Sequence, residues 1–255
     1  METLGAHQAD GITPQHGQRN EGSLRTTTVT PAIVAFLVVG GSAMAVGTRV
    51  KRPPDSVGPA AAVATTHLDQ AQRDPLVEQR TKGDPEAPLV IYEMSDFQCP
   101  ACKAFTHDIL PDLEQEYVAT GKVQIVFVNL PLVQIHANAA AAHEFAMCAA
   151  QQDLFWPVHD LLFRFQEAWA HTREPVGFFM MMADSAGLNK DTLLKCVETG
   201  DLRWIVQQEA TAVVQRGIRS TPSFIIEQLM IPGYLPMDRW RPLLDSLYTV
   251  KTGGN

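Results

Sequence analysis

In PLVIYEMSDFQCPACKAF, residues 88–105, an apolar run of strand length leads through a short turn into a Cys-x-x-Cys pair, and the pair opens a stretch with helical spacing. This junction constrains the chain more than any other feature. A sulfur at a helix N-terminus meets unpaired backbone N–H groups and the positive end of the macrodipole. With Cys99 as cap and Pro100 at the first helical position, where a missing N–H costs nothing, thiolate is favoured over thiol. The Cys99 pKa is then expected within the range of roughly 3.5–7.5 seen at such sites. Cys102, one turn further in and separated from Cys99 by Pro100 and Ala101, is the expected buried, resolving thiol.

Two other readings of the pair are weaker. A structural zinc site normally needs four ligands, and Cys148, Cys196, His136 and His143 offer no second closely spaced pair; no metal is expected. A purely structural Cys99–Cys102 bridge would close so short a loop that it removes little unfolded-state entropy.

Periodicity organises the rest of the domain. PLVIYEM (88–94) and KVQIVFVNL (122–130) read as strands, and between them Phe105, Ile109, Leu113 and Tyr117 recur at spacings of four, as on one helix face. Pro111 should kink that helix. Strand, helix, strand makes a βαβ unit with parallel strands and a right-handed crossover. A helical block is expected over about 137–209, broken near Pro157, Glu174-Pro175, Gly187 and Gly200. TPSFIIE (221–227) and LMIPGY (229–234) then read as two tightly joined strands, and MDRWRPLLDSLY as a closing helix. The layout βαβ, helical block, ββα is an α/β fold in which helices are inserted into a four-stranded thioredoxin-like sheet.

Upstream, residues 1–30 are polar and without apolar period, as in a disordered tail. PAIVAFLVVGGSAMAVG (31–47) carries no charge over 17 positions, near the lower limit of about 17 residues for a membrane-spanning helix. Residues 31–50 are therefore read as an anchor, with cleavage near Ala45 after the small residues Ala43-Met44-Ala45 as the alternative. Basic residues 49, 51 and 52 outnumber Arg19 and Arg25, a slight charge bias against an exported domain. Residues 51–85, rich in Pro and Ala, read as a linker ending in a short helix near 76–80, and the folded domain as 86–250. A formal net charge of −8 argues against a nucleic-acid partner, which needs a basic face.

GDPEAPLVIYEMSDFQCPACKAF, taken with RSTPSFII far downstream, resembles the DsbA-like branch of the thioredoxin superfamily over about residues 83–250. The resemblance implies a thiol–disulfide oxidoreductase with Cys99 as the exposed nucleophile and Cys102 as its buried partner. Thr221-Pro222 matches the cis-proline loop that offers backbone to an extended substrate. Glu93, six residues before Cys99, matches the buried acid that assists proton movement at the inner cysteine; a satisfied polar group at a strand end is its plainer reading. The dipeptide Pro100-Ala101 lacks the histidine of strongly oxidising members, and Glu227-Gln228 replaces the usual Asn-Gly turn. Electrons travel in the cysteine pair, so no cofactor is implied. The implied partners are cysteine-containing exported proteins and a membrane redox protein, DsbB-like or vitamin-K-epoxide-reductase-like. The domain is expected outside the cytoplasm, where a disulfide persists. An oxidase is the leading reading; a reductase or isomerase, or a non-catalytic peptide-binding module, are the alternatives. Some DsbA-like proteins carry a second disulfide between similar helices, which favours a Cys148–Cys196 bridge over two buried free thiols.

Overall fold

The computed structural model describes residues 74 and 76–254. The expected tail (1–30), membrane segment (31–50) and most of the linker lie outside the described residues. Among the described residues no helix is long and apolar enough to cross a membrane.

The sheet has the strand order β1-β3-β2-β4-β5, with β1 at Thr81–Lys82, β2 at Leu89–Ser95, β3 at Val123–Asn129, β4 at Ser223–Ile226 and β5 at Leu229–Pro232. Strands β2 and β3 run parallel; the other pairs are antiparallel. Helix α1, Pro100–Asp108, is the crossover's first part. It breaks at Ile109, and after α2, Leu110–Leu113, with Pro111 in its first turn, the chain closes with a π turn, Glu114–Val118. Pro111 has no N–H to return to the preceding turn, so the kink falls just ahead of it.

Alternation along β2 assigns its two faces. Leu89, Ile91, Glu93 and Ser95 point one way, toward α1 and the closing helix α9, Met237–Thr252, where Phe105, Phe224 and fully buried Trp240 pack together. Each large apolar side chain so buried contributes about 1.5–3 kcal/mol. Val90, Tyr92 and Met94 face the other way, toward Val213 of α8, Arg203–Gln215.

The helical block comprises α3, Ala139–Ala150, α4, Phe155–Arg164, α5, Gln166–Trp169, α6, Val176–Ala186, α7, Lys190–Thr199, and α8. It runs to Gln215, six residues past the expected end at 209. Gly187 and Gly200 end α6 and α7 with φ of 77° and 66°, a left-handed conformation that glycine adopts without strain. The break expected near Pro157 falls at residues 151–154, and Pro157 itself lies in the first turn of α4, where its missing N–H has no intrahelical acceptor anyway. A Cys148–Cys196 disulfide joins α3 to α7.

The start of the fold also differs from expectation. The linker was expected to run to residue 85, but Arg80, ahead of β1, has no exposed surface. β1 pairs with β3, which makes the sheet five-stranded rather than four-stranded. Arg80 donates to the Phe127 carbonyl, to both oxygens of Glu209 on α8 and, at 2.6 Å, to Asp74. Glu209 also accepts from the backbone and side chain of Asn129, whose Oδ1 meets His143 Nδ1 at 2.7 Å.

Candidate active site

The chain leaves β2 at Ser95 and turns at Asp96. The Asp96 carbonyl accepts the Cys99 N–H, its Oδ1 the Gln98 N–H at 2.7 Å, and its Oδ2 the Leu132 N–H. His136 Nδ1 meets the same Oδ2 at 2.8 Å. This Asx-type turn aims Cys99 into the cap position of α1, with Pro100 at the first helical position. The helical block holds the turn from the far side. Gln166 Nε2 donates to the carbonyls of Phe97 and Cys99, at 2.8 and 3.0 Å. Gln98 donates to the Ala170 carbonyl and accepts from Asn138 N–H.

The structure brings Cys99, Cys102, Thr221 and Pro222 together. The Thr221–Pro222 bond is cis, the Cys99 thiol donates to the Thr221 carbonyl at 3.4 Å, and Gly233 N–H ties the Pro222 carbonyl to the end of β5. Cys99 is less open than the resemblance implied, at 7% exposed, because the Thr221 loop covers it. Cys102 is fully buried, its sulfur accepting from Asp96 N–H at 3.5 Å.

The two sulfurs are electrostatically unequal. The Cys102 thiol donating to Cys99 is the largest influence on Cys99; burial opposes it, and the Thr221 side chain and the N–H groups of Cys102 and Ala101 add to it. The Cys99 pKa falls to about 6. Burial, and then the neighbouring Cys99 sulfur, holds the Cys102 thiol well above its ordinary value. One sulfur is ionised at neutral pH and the other keeps its proton, which is the asymmetry thiol–disulfide exchange requires.

Glu93 lies on the α1 face of β2 with no exposed surface, between its cross-strand partners Phe127 and Phe224. Burial pushes its pKa up to about 7, against the pull of Ser95 and Lys82. The unfolded carboxyl ionises near its ordinary 4.5 and the folded one near 7. Between those values the native state binds the extra proton, so Glu93 lowers stability as pH rises through that window. The deficit is complete above pH 7 and amounts to about 3 kcal/mol, at about 1.4 kcal/mol per unit. Glu93→Gln should therefore be more stable than the unmutated protein at pH 8 by that amount and nearly equal to it at pH 4. Urea unfolding at both pH values measures this; the same difference at both would show that Glu93 does not titrate in this window.

Cys148 and Cys196 lie in the helical block, bonded to each other and both buried. His107 is exposed on α1. Sequence reasoning missed Asp96, Gln98, Gln166 and Ser95. Asp three residues before a helix cap is the signal of an Asx turn and was there to be read; Gln166 left no local signal, since its role depends on where α5 docks.

A Cys-x-x-Cys helix cap facing a cis-proline loop on this sheet defines a thioredoxin-fold redox protein. A family model described as Thioredoxin matches residues 76–246. A probable disulfide bond formation protein D of Bacillus anthracis is 36% identical over 89 residues, 35% of this chain and 41% of that protein. The chain thus spans about two-fifths of that relative's length. Disulfide bond formation protein D of Bacillus subtilis is 23% identical over 168 residues, 66% of this chain and 76% of the relative. Among solved structures, oxidised BdbD of B. subtilis and α-DsbA1 of Wolbachia pipientis each superpose with a TM-score of 0.61 at 21% identity. Each match covers 68% of this chain, with 95% and 92% of the respective structures. The chain belongs to the thioredoxin family, and it shares the fold of the DsbA-type structures.

Proposed function

We propose that this protein is a disulfide-forming oxidase of exported proteins. The observation that carries the reading is the inequality of the two sulfurs, with Cys99 near 6 and Cys102 held high. A thiolate stabilised only in the reduced form stabilises that form, so the Cys99–Cys102 disulfide becomes a good electron acceptor. A substrate thiolate attacks the Cys99 sulfur and the S–S bond breaks, with its electron pair leaving on Cys102, which takes up a proton. A second substrate thiolate attacks the substrate sulfur of the mixed disulfide and expels Cys99 as thiolate. The substrate loses two electrons and the pair gains them. Thr221 and Pro222 offer backbone to the extended substrate.

Recycling calls for a membrane oxidant, DsbB-like or vitamin-K-epoxide-reductase-like. The domain works outside the cytoplasm, anchored through residues 31–47 or released by cleavage near Ala45. The buried Cys148–Cys196 bridge supports an oxidising compartment, and the relatives' names support the direction of transfer.

The reduction potential tests the direction. It should fall between about −230 and −120 mV at pH 7, more oxidising than the roughly −270 mV of thioredoxin. Its pH slope should change near pH 6. Below that pH both sulfurs take a proton on reduction and the slope is about −59 mV per unit; above it only Cys102 does, and the slope is about −30 mV. Redox titration against glutathione at several pH values measures both. A potential at or below that of thioredoxin would make the protein a reductase.

A further inference from the structure

Cys102 takes up and gives back a proton in each cycle, yet it is fully buried. Its sulfur lies at the Asp96 N–H, the end of β2. Glu93 lies deeper, and Ser95 stands between them on the same strand face, about 7 Å from Glu93 along the strand. Ser95 has no exposed surface, and neither its Oγ nor either Glu93 oxygen has a formed hydrogen bond. The Ser95 hydroxyl is nevertheless near enough to hold down both the Glu93 carboxyl and the Cys102 thiol. Buried hydroxyls and carboxyls are rarely left without partners, and those that are ask for a functional explanation. A hydroxyl can accept one proton while donating another.

Lys82, which acts electrostatically on Glu93, lines a polar cavity of about 200 Å³ together with Thr106, Glu114, Asp160 and Arg164, among others. Thr106 stands one turn after Cys102 on α1, its buried Oγ1 also without a partner. Lys82, paired to Glu114, acts electrostatically on Glu93 and on His159 and Asp160. Lys82 from β1 is the charged group that acts on Glu93; Glu114 from the π turn and Asp160 and Arg164 from α4 line the cavity with it, His159 stands next to Asp160 on α4, and Cys102 comes from α1. The other strands present Phe127 and Phe224, and α9 presents Trp240.

We propose that the Ser95 hydroxyl relays the proton between Cys102 and Glu93, and that Glu93 exchanges it with solvent through the cavity bounded by Lys82 and Thr106. When the disulfide opens, Ser95 gives its proton to the Cys102 thiolate and takes one from the Glu93 carboxyl. When Cys102 resolves a mixed disulfide on Cys99, the same two protons move back, and the thiolate so formed attacks Cys99. The relay rests on the exchange reading above and adds a residue to it.

The test follows the second step directly. The protein is loaded with glutathione on Cys99, and release of glutathione by Cys102 is timed between pH 6 and 9. Ser95→Ala should slow release at pH 7 by roughly 10²-fold, the size of a general acid–base contribution, and Ser95→Thr, which keeps the hydroxyl, should restore it. Glu93→Gln should be as slow, and the double variant no slower than the worse single one, because both act in one path. In the unmutated protein, release in H₂O–D₂O mixtures should show a bowed dependence on deuterium fraction, as two protons in flight require. Unchanged release in Ser95→Ala, multiplying losses in the double variant, no restoration by threonine, or a linear isotope dependence would each overturn the relay while leaving thiol–disulfide exchange intact. Failure of the unmutated protein to take up glutathione at Cys99 would remove the exchange reading, and the relay with it.

Discussion

Replacing Arg80 with leucine should destabilise the domain by about 3–5 kcal/mol, the usual cost of removing one member of a buried ion pair. The guanidinium has no exposed surface and holds Glu209, Asp74 and the Phe127 carbonyl. Burial works against its charge, but Glu209 and Asp74 outweigh burial and raise its pKa. Without Arg80, the carboxylate of Glu209 keeps only Asn129 as a hydrogen-bond partner among the described residues. Adding Glu209→Gln to Arg80→Leu should recover part of the loss, since the stranded charge is then gone. Urea unfolding of the three variants decides it. A loss below about 1 kcal/mol, the scale of an exposed pair, would mean that the segment before β1 merely rests on the sheet.

Removing the second disulfide should cost a similar amount. Cys148 and Cys196 lie 48 residues apart in sequence, and on the chain-entropy model a loop of that size is worth on the order of 4 kcal/mol. Their Cα atoms are 5.9 Å apart, within the range an unstrained bridge spans. The double variant Cys148→Ala, Cys196→Ala should therefore unfold at markedly lower urea while Cys99 and Cys102 still exchange. Equal midpoints for the bridged and unbridged proteins would mean that residual structure already confines the unfolded chain, so that the bridge removes little entropy from it. The bridge also bears on the site, because the block it tightens carries Gln166 and the Ala170 carbonyl, which hold the turn at Phe97 to Cys99.

The two predictions draw on different kinds of information. The strands, the βαβ crossover and the kink at Pro111 were legible because local apolar spacing repeats the period of the element it forms. Cys99 at a helix cap followed from its neighbours alone, and its thiolate character from the helix terminus it occupies. Glu93 could be placed on a buried face by counting alternate residues along β2. The break near Pro157 was legible too, since proline sits readily in the first turn of the helix that follows it.

Arg80 was assigned to a linker because a lone arginine beside a two-residue strand carries no periodic signal. Its burial depends on Glu209, 129 residues away, as well as on Asp74 and the Phe127 carbonyl, and no local pattern announces the distant pair. The same holds for Gln166 against Cys99, and for Ser95 between Glu93 and Cys102. By itself the sequence determined the elements, the redox pair and the helix end that lowers the Cys99 pKa, since each depends on residues within a turn or two. Only the tertiary structure decided where the fold begins, how far Cys99 is covered and which groups meet the buried Cys102. Those depend on desolvation and on partners brought from distant parts of the chain.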